Sequence, residues 1–158
     1  IGVTSAQEMH DAVMHDIQQQ DIFIACAAVA DFRLADIPTH KVKKKDGMLT
    51  LSFEQNPDIL KAVAAQASPP FTLGFAAETN DVEAYAKQKL EHKKLNMIAA
   101  NDVSLSELGF NSDENALTVI TRNNKISLPA TSKYALAIEL LKLLSSEYST
   151  VQNNKKSK

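Results

Sequence analysis

Glycine is scarce in this chain. Only Gly2, Gly47, Gly74 and Gly109 occur among 158 residues, so neither a G-x-G-x-x-G turn nor a P-loop can be written anywhere along it. Cysteine is scarcer still: the single Cys26 excludes an internal disulfide and a cysteine-rich zinc site, and it fits a reducing cytosol. His10, His15, His40 and His92 lack metal-ligand spacing and read as surface positions. An excess of one charge is lacking too. Seventeen lysines and arginines against 19 aspartates and glutamates leave a net charge of -2, so nothing draws the whole molecule to nucleic acid, and phosphate binding has to come from local lysine clusters. No apolar run approaches the ~20 residues that cross a bilayer, and no charged-then-apolar leader opens the chain.

What is present describes one globular domain. Apolar residues make up 44% and charged residues 23%, which excludes a disordered chain. At this length about 70% of the unfolded surface is buried on folding. The opening Ile1-Gly2-Val3, without an initiator methionine, reads as a piece that starts partway along a strand of a longer protein. The domain is expected to span 1–148, with the polar stretch 149–158 as a frayed, flexible tail.

Two periodicities alternate along the body. Ser5-Ala6-Gln7-Glu8 is a capping box, and Met9, Val13 and Ile17 follow on one helical face. Ile22 to Val29 is continuously apolar and predicts a strand buried on both faces of a parallel sheet. Asn56-Pro57-Asp58 is a helix start, continued by Leu60, Val63 and Ala64. Phe71 to Ala77 is a second buried strand. Asn80 with Glu83 forms a cap for a helix that turns Val82, Ala86 and Leu90 inward, and Met97 to Ala100 is a third strand. This order predicts an α/β, doubly wound, mostly parallel Rossmann-like sheet with helices on both faces.

Two hairpin excursions interrupt the pattern. Leu49, Leu51 and Phe53 alternate with polar residues after an Asp46-Gly47 turn, which pairs them with Lys41 to Lys45. Ala116 to Thr121 and Lys125 to Leu128 flank an Asn123-Asn124 turn, and a last amphipathic helix runs from about Ser132 to Tyr148.

Ligands of open parallel sheets bind beyond the carboxyl ends of the strands. Here those ends deliver Ala30-Asp31-Phe32-Arg33, Ala76-Ala77-Glu78-Thr79 and Asn101-Asp102. Asp31 suits the hydroxyls of a ribose, or equally a turn cap. The small residues Ala25 to Ala28 permit close approach of a ligand, or of a helix. Cys26, inside an apolar run, reads as a buried thiol and not a nucleophile. Lys41, Lys43, Lys44 and Lys45 suit a polyphosphate or a solvated turn, and Lys89 and Lys93 share a helix face at i, i+4. No nucleophile–base pair and no aromatic–basic interleaving of the RNA-binding kind is present.

Ala27-Ala28-Val29-Ala30-Asp31-Phe32-Arg33, then Lys41-Val42-Lys43-Lys44, Asn56-Pro57-Asp58-Ile59, Gly74-Phe75-Ala76-Ala77-Glu78-Thr79 and Asn101-Asp102 together resemble the phosphopantothenoylcysteine synthetase domain. The five motifs stand in the family's order across roughly Val3 to Leu144. In bacteria that domain is the C-terminal half of a bifunctional coenzyme A biosynthesis protein. The resemblance implies a ligase that joins 4'-phosphopantothenate to cysteine with CTP and magnesium, through an acyl-cytidylate, releasing pyrophosphate and CMP. It implies CTP contacts at Ala25, Cys26 and Ala27 (through the backbone), Asp31, Lys41, Asn56, Pro57, Asp58, Ile59, Phe75, Lys89 and Lys93, with Lys41 also supporting turnover. It implies a cytoplasmic homodimer, fused to a flavin-dependent decarboxylase that alone carries FMN, and no nucleic-acid or membrane partner. The family's first strand, loop and helix, with an asparagine tied to use of the acyl-cytidylate, have no counterpart here; Ile1 to Thr4 resemble its next strand. The alternative is therefore a nucleotide-binding relative that folds and dimerises without completing the ligation.

Overall fold

The computed structural model describes residues 1–36, 40, 42, 48–102 and 112–156. Helix α1 (Ala6–Asp16) begins where the capping box predicts. The Ser5 hydroxyl accepts from the Glu8 N–H at 3.1 Å, and the Glu8 carboxylate accepts from the Thr4 and Ser5 N–H groups at 2.7 and 3.2 Å. The Thr4 N–H, then the Thr4 hydroxyl and the Ser5 N–H, hold the Glu8 carboxyl below its ordinary range. Residues 1–4 enter this helix without joining a ladder, so the strand expected there does not form among the described residues.

The main sheet has the order β1-β4-β5-β6-β7, built from β1 (Ile22–Ala25), β4 (Phe71–Glu78), β5 (Met97–Asp102), β6 (Glu114–Thr121) and β7 (Lys125–Ser132). The three strands β1, β4 and β5 are parallel, and the β6–β7 hairpin adds two antiparallel strands beside β5. Alternation sorts each strand's side chains onto two faces. On one face Phe71, Leu73, Met97, Ala99, Leu117 and Val119 pack against Leu136, Leu140 and Leu144 of α4 (Lys133–Lys156). On the other, Ala76, Ile98, Ala100 and Ile120 meet α2 (Ile59–Ala64) and α3 (Val82–His92). α1 joins that second layer, where its Met9 and Val13 pack with Ile59, Val63 and Phe23. Helices on both faces are thus as expected.

Five further features differ from the sequence expectation. β1 stops at Ala25 instead of Val29, and as an edge strand it leaves Ile24 39% exposed and Cys26 exposed, so this thiol is not buried. The excursion pairs differently: β2 (Phe32–Leu34) lies antiparallel to β3 (Phe53–Gln55), with Arg33 opposite Glu54. The expected lysine strand and its turn fall on Lys41, Lys43, Lys44, Lys45, Asp46 and Gly47, which lie outside the described residues. The N-cap of α3 is Asp81, at φ 42° and without a side-chain cap bond, not Asn80. The terminal hairpin is longer on both strands than predicted. Finally, α4 runs on to Lys156 through most of the segment expected to fray, because Tyr148 meets Phe71 edge-on at 6.0 Å and Val151 packs on the same cluster. Among the described residues no helix is long and apolar enough to cross a membrane.

Two glycine-related features hold the second layer together. A Cβ on Gly74 would come within 2.7 Å of Leu60 and 3.1 Å of Leu95, so this glycine lets α2 and the end of α3 close on the backbone of β4. α3 itself ends in a Schellman motif with lysine in the glycine position: Lys94 has φ 57°, its N–H reaches Glu91 at 3.1 Å, and the Leu95 N–H reaches Leu90 at 2.9 Å.

Candidate functional site

The parallel strands β1, β4 and β5 end at Ala25, Glu78 and Asp102, and polar side chains collect beyond the first two. Asn56, directly after β3, reaches back to the segment that follows β1. Its amide nitrogen donates to the Ala30 carbonyl at 2.8 Å, and its backbone N–H donates to the Asp31 carbonyl at 2.8 Å. Two residues on, Asp58 caps α2 by accepting from the Lys61 N–H at 3.0 Å and pairs with the Lys93 ammonium at 2.9 Å. One turn earlier on α3, Lys89 pairs with Glu78 at 2.6 Å. Both lysines lean toward the strand ends because helical Cα–Cβ bonds tilt toward the helix N-terminus.

Three separate contact sets therefore stand near this edge: Asn56 on the loop at Ala30 and Asp31, Asp58 with Lys93, and Glu78 with Lys89, where Glu78 shares the parity of Ala76 on the α2/α3 side. Ala25 lies on the same side, opposite Gly74 in the register, and Cys26 follows it, exposed. Phe75 is not brought to that side. It shares the parity of Phe71 and Leu73, and it stands 39% exposed on the α4 face near the tip of β4. Lys41 is outside the described residues. Ile59 is buried in the core cluster that Met9 and Val13 of α1 pack against.

The electrostatics favour anion binding at the lysines more than at the helix end. α2 has six residues, and its N-terminus is already filled by the Asp58 carboxylate. Burial alone would push that carboxyl up, but the bond from Lys93 and the Lys61 N–H together hold it below its ordinary range. The Asp31 carboxylate is exposed and bonds no described residue, as a ligand-directed acid should. Among the described residues no three histidine, cysteine or acidic side chains gather closely enough to hold a metal ion. At the opposite edge of the sheet a cleft of about 520 Å³ is lined by Asp21, Pro69, Phe71, Asn96, Tyr148 and neighbours, with no cation among the described residues.

Two charged residues of the edge, Arg33 and Glu78, had no role assigned from sequence. Arg33 was legible in principle as the cross-strand partner of Glu54, an opposite-charge pair of the kind that pins antiparallel register. Glu78 carried no such signal.

Three parallel strands, helices on both faces and a polar crest beyond the carboxyl ends define a doubly wound α/β domain of the ligand-binding class. The chain belongs to the DNA/pantothenate metabolism flavoprotein C-terminal domain family, whose model matches residues 1–148. It is 53% identical over 145 residues to the coenzyme A biosynthesis bifunctional protein CoaBC of Vibrio vulnificus (strain YJ016), covering 90% of this chain and 36% of that protein. It is 45% identical over 152 residues to CoaBC of Escherichia coli (strain K12), covering 94% and 37%. The chain thus spans a little over a third of the curated relatives it matches. Its fold matches the crystal structure of the C-terminal domain of CoaBC with a TM-score of 0.75 at 32% identity, over 97% of this chain and 66% of the other. It also matches a Cab2 variant in complex with phosphopantothenate-cysteine, with a TM-score of 0.79 at 14% identity, over 99% and 54%.

Proposed function

We propose that this chain carries the CTP-dependent phosphopantothenate–cysteine ligase step of coenzyme A biosynthesis. The observation that carries the reading is that three contact sets stand beyond the strand ends, Asn56 on the Asp31 loop, Lys93 on Asp58 and Lys89 on Glu78. Family membership supports it, and so do relatives named for coenzyme A biosynthesis.

In this reading Asp31 accepts from the ribose hydroxyls, and Lys89 and Lys93 exchange Glu78 and Asp58 for triphosphate oxygens. The exchange is undemanding, since partly exposed ion pairs contribute only about 0–1 kcal/mol. Lys41 adds a further cation by resemblance to the family. Magnesium arrives with the triphosphate as part of the substrate. The phosphopantothenate carboxylate then attacks the α-phosphorus, and the bond to pyrophosphate breaks. Next the cysteine amine attacks the acyl carbon, loses a proton and expels CMP. Held geometry and charge neutralisation supply the acceleration.

The remaining partners follow. A flavin-dependent decarboxylase occupies another part of the full-length cytoplasmic protein. The chain pairs with a second copy through the β2–β3 ribbon, whose Phe32 and Phe53 lie on one face and are 55% and 61% exposed.

The test is pyrophosphate release from CTP with 4'-phosphopantothenate and magnesium, with and without cysteine, using this chain and the full-length protein that contains it. The reading predicts CTP-dependent pyrophosphate, and ligated product once cysteine is added. Pyrophosphate without product from both proteins would replace the ligase with an activating domain. No CTP-dependent signal from either overturns the reading.

A further inference from the structure

Arg33 occupies the base of the β2–β3 ribbon, and its planar guanidinium makes two directed bonds. Nε donates to Glu54 Oε1 at 2.8 Å, and Nη1 donates to Asn56 Oδ1 at 3.1 Å. Asn56 passes the constraint on. With Oδ1 held by Arg33, its Nδ2 donates to the Ala30 carbonyl and its backbone N–H to the Asp31 carbonyl, both at 2.8 Å. One asparagine therefore ties down two consecutive peptide units, and both ends of its side-chain amide are engaged within the protein. An amide held at only one end can rotate or flip; Arg33 supplies the second hold. Immediately beyond stands the Asp31 carboxylate, exposed and bonded to no described residue.

We infer that Arg33 is a positioning residue of the nucleotide site: it orients the Asn56 amide, which fixes the backbone at Ala30 and Asp31 and so aims the Asp31 carboxylate at the sugar hydroxyls of the nucleotide. The inference rests on the function proposed above. It also gives Asn56 a different task from the one the resemblance implies, with its side chain acting on the loop and not on CTP. Lysine cannot do the work of Arg33, because it has no rigid fork to meet Glu54 and Asn56 together. The Arg33–Glu54 pair is 40% and 50% exposed, so its removal leaves the fold largely intact.

Two measurements on this chain decide the matter, with Arg33→Ala and Arg33→Lys compared against the wild type. The first is amide hydrogen exchange without nucleotide. Arg33→Ala speeds exchange of the Asn56 N–H about tenfold, the factor expected for losing roughly one hydrogen bond's support, and leaves the Leu73 N–H unchanged. The second is calorimetric titration with CTP and with 2'-deoxy-CTP in magnesium chloride. Arg33→Ala raises the Kd for CTP about tenfold and erases most of the wild-type preference for CTP, while thermal stability stays within about 2 °C; Arg33→Lys falls between. Unchanged Asn56 exchange, equal weakening for both nucleotides, or a wild type that binds both alike overturns the inference. A wild type that binds no CTP overturns the functional reading instead, and the exchange result then decides the latch by itself.

Discussion

Strands β1 and β4 lie side by side and in register, Ile22 opposite Phe71 and Ala25 opposite Gly74, and both are written as short, mostly apolar runs. Their surroundings are unlike. β4 is central, eight residues long and buried through its first four positions. β1 is an edge strand of four residues with Ile24 and the adjacent Cys26 exposed. An apolar run therefore reports that a strand forms; burial is decided by what lies beside it. The two strands also contribute differently to the polar crest. β4 supplies a fixed tip, Glu78, whereas β1 delivers a loop that needs outside support from Asn56 and Arg33.

The largest expected contrast is in stability. Leu73→Ala, at a fully buried site on β4, costs about 3–5 kcal/mol, while Ile24→Ala on β1 costs about 1 kcal/mol, read from denaturant midpoints at constant slope. Equal costs would break the comparison. Next comes Gly74→Ala, which forces Leu60 and Leu95 away from β4 and costs about 1–3 kcal/mol by the same measurement; a neutral result would mean that α2 moves freely. Lys94→Gly sharpens the β4 side in the other direction. It relieves a left-handed residue beneath the Leu95 seat and gains about 0.5–1 kcal/mol, a rise of a few degrees in Tm.

The smallest effect is pH-dependent and belongs to the crest. Asp58 is held below its ordinary value of 3.8, so its contribution is present above that pH and is lost as pH falls through the lower folded-state value. Asp58→Asn is accordingly less stable than the wild type near neutrality, and the two converge in acid below 3.8. A gap that persists unchanged through that window contradicts the assignment of the shift to the Lys93 and Lys61 contacts.

Much of this was legible from residue order. Ser5 and Glu8 set the start of α1, the three apolar runs marked the parallel strands in order, and i, i+4 spacing put Lys89 and Lys93 on one face. What escaped depends on contacts distant in sequence. The exposure of Cys26 follows from the sheet order, which no local pattern contains. The length of α4 follows from Tyr148 meeting Phe71, two residues far apart in the chain that no helical periodicity connects. At the site, residue types and strand ends pointed to Asp31, Asn56, Asp58 and the two lysines. Their mutual pairing, with Asp58 on Lys93 and Glu78 on Lys89, required the fold. Phe75 lies on the face of β4 opposite Gly74 and Ala76, a placement that strand alternation carries and a motif read as a block does not.

The central claim is that the crest beyond β1 and β4 is a cradle for CTP, and chemical-shift mapping of this chain during titration with CTP and magnesium tests it most directly. The account predicts that the amides of 25–31, 56–59 and 75–78 and the side-chain signals of Lys89 and Lys93 shift together along one saturating curve. Shifts confined to the cleft around Asn96 and Tyr148, or no saturable shifts at all, would contradict it.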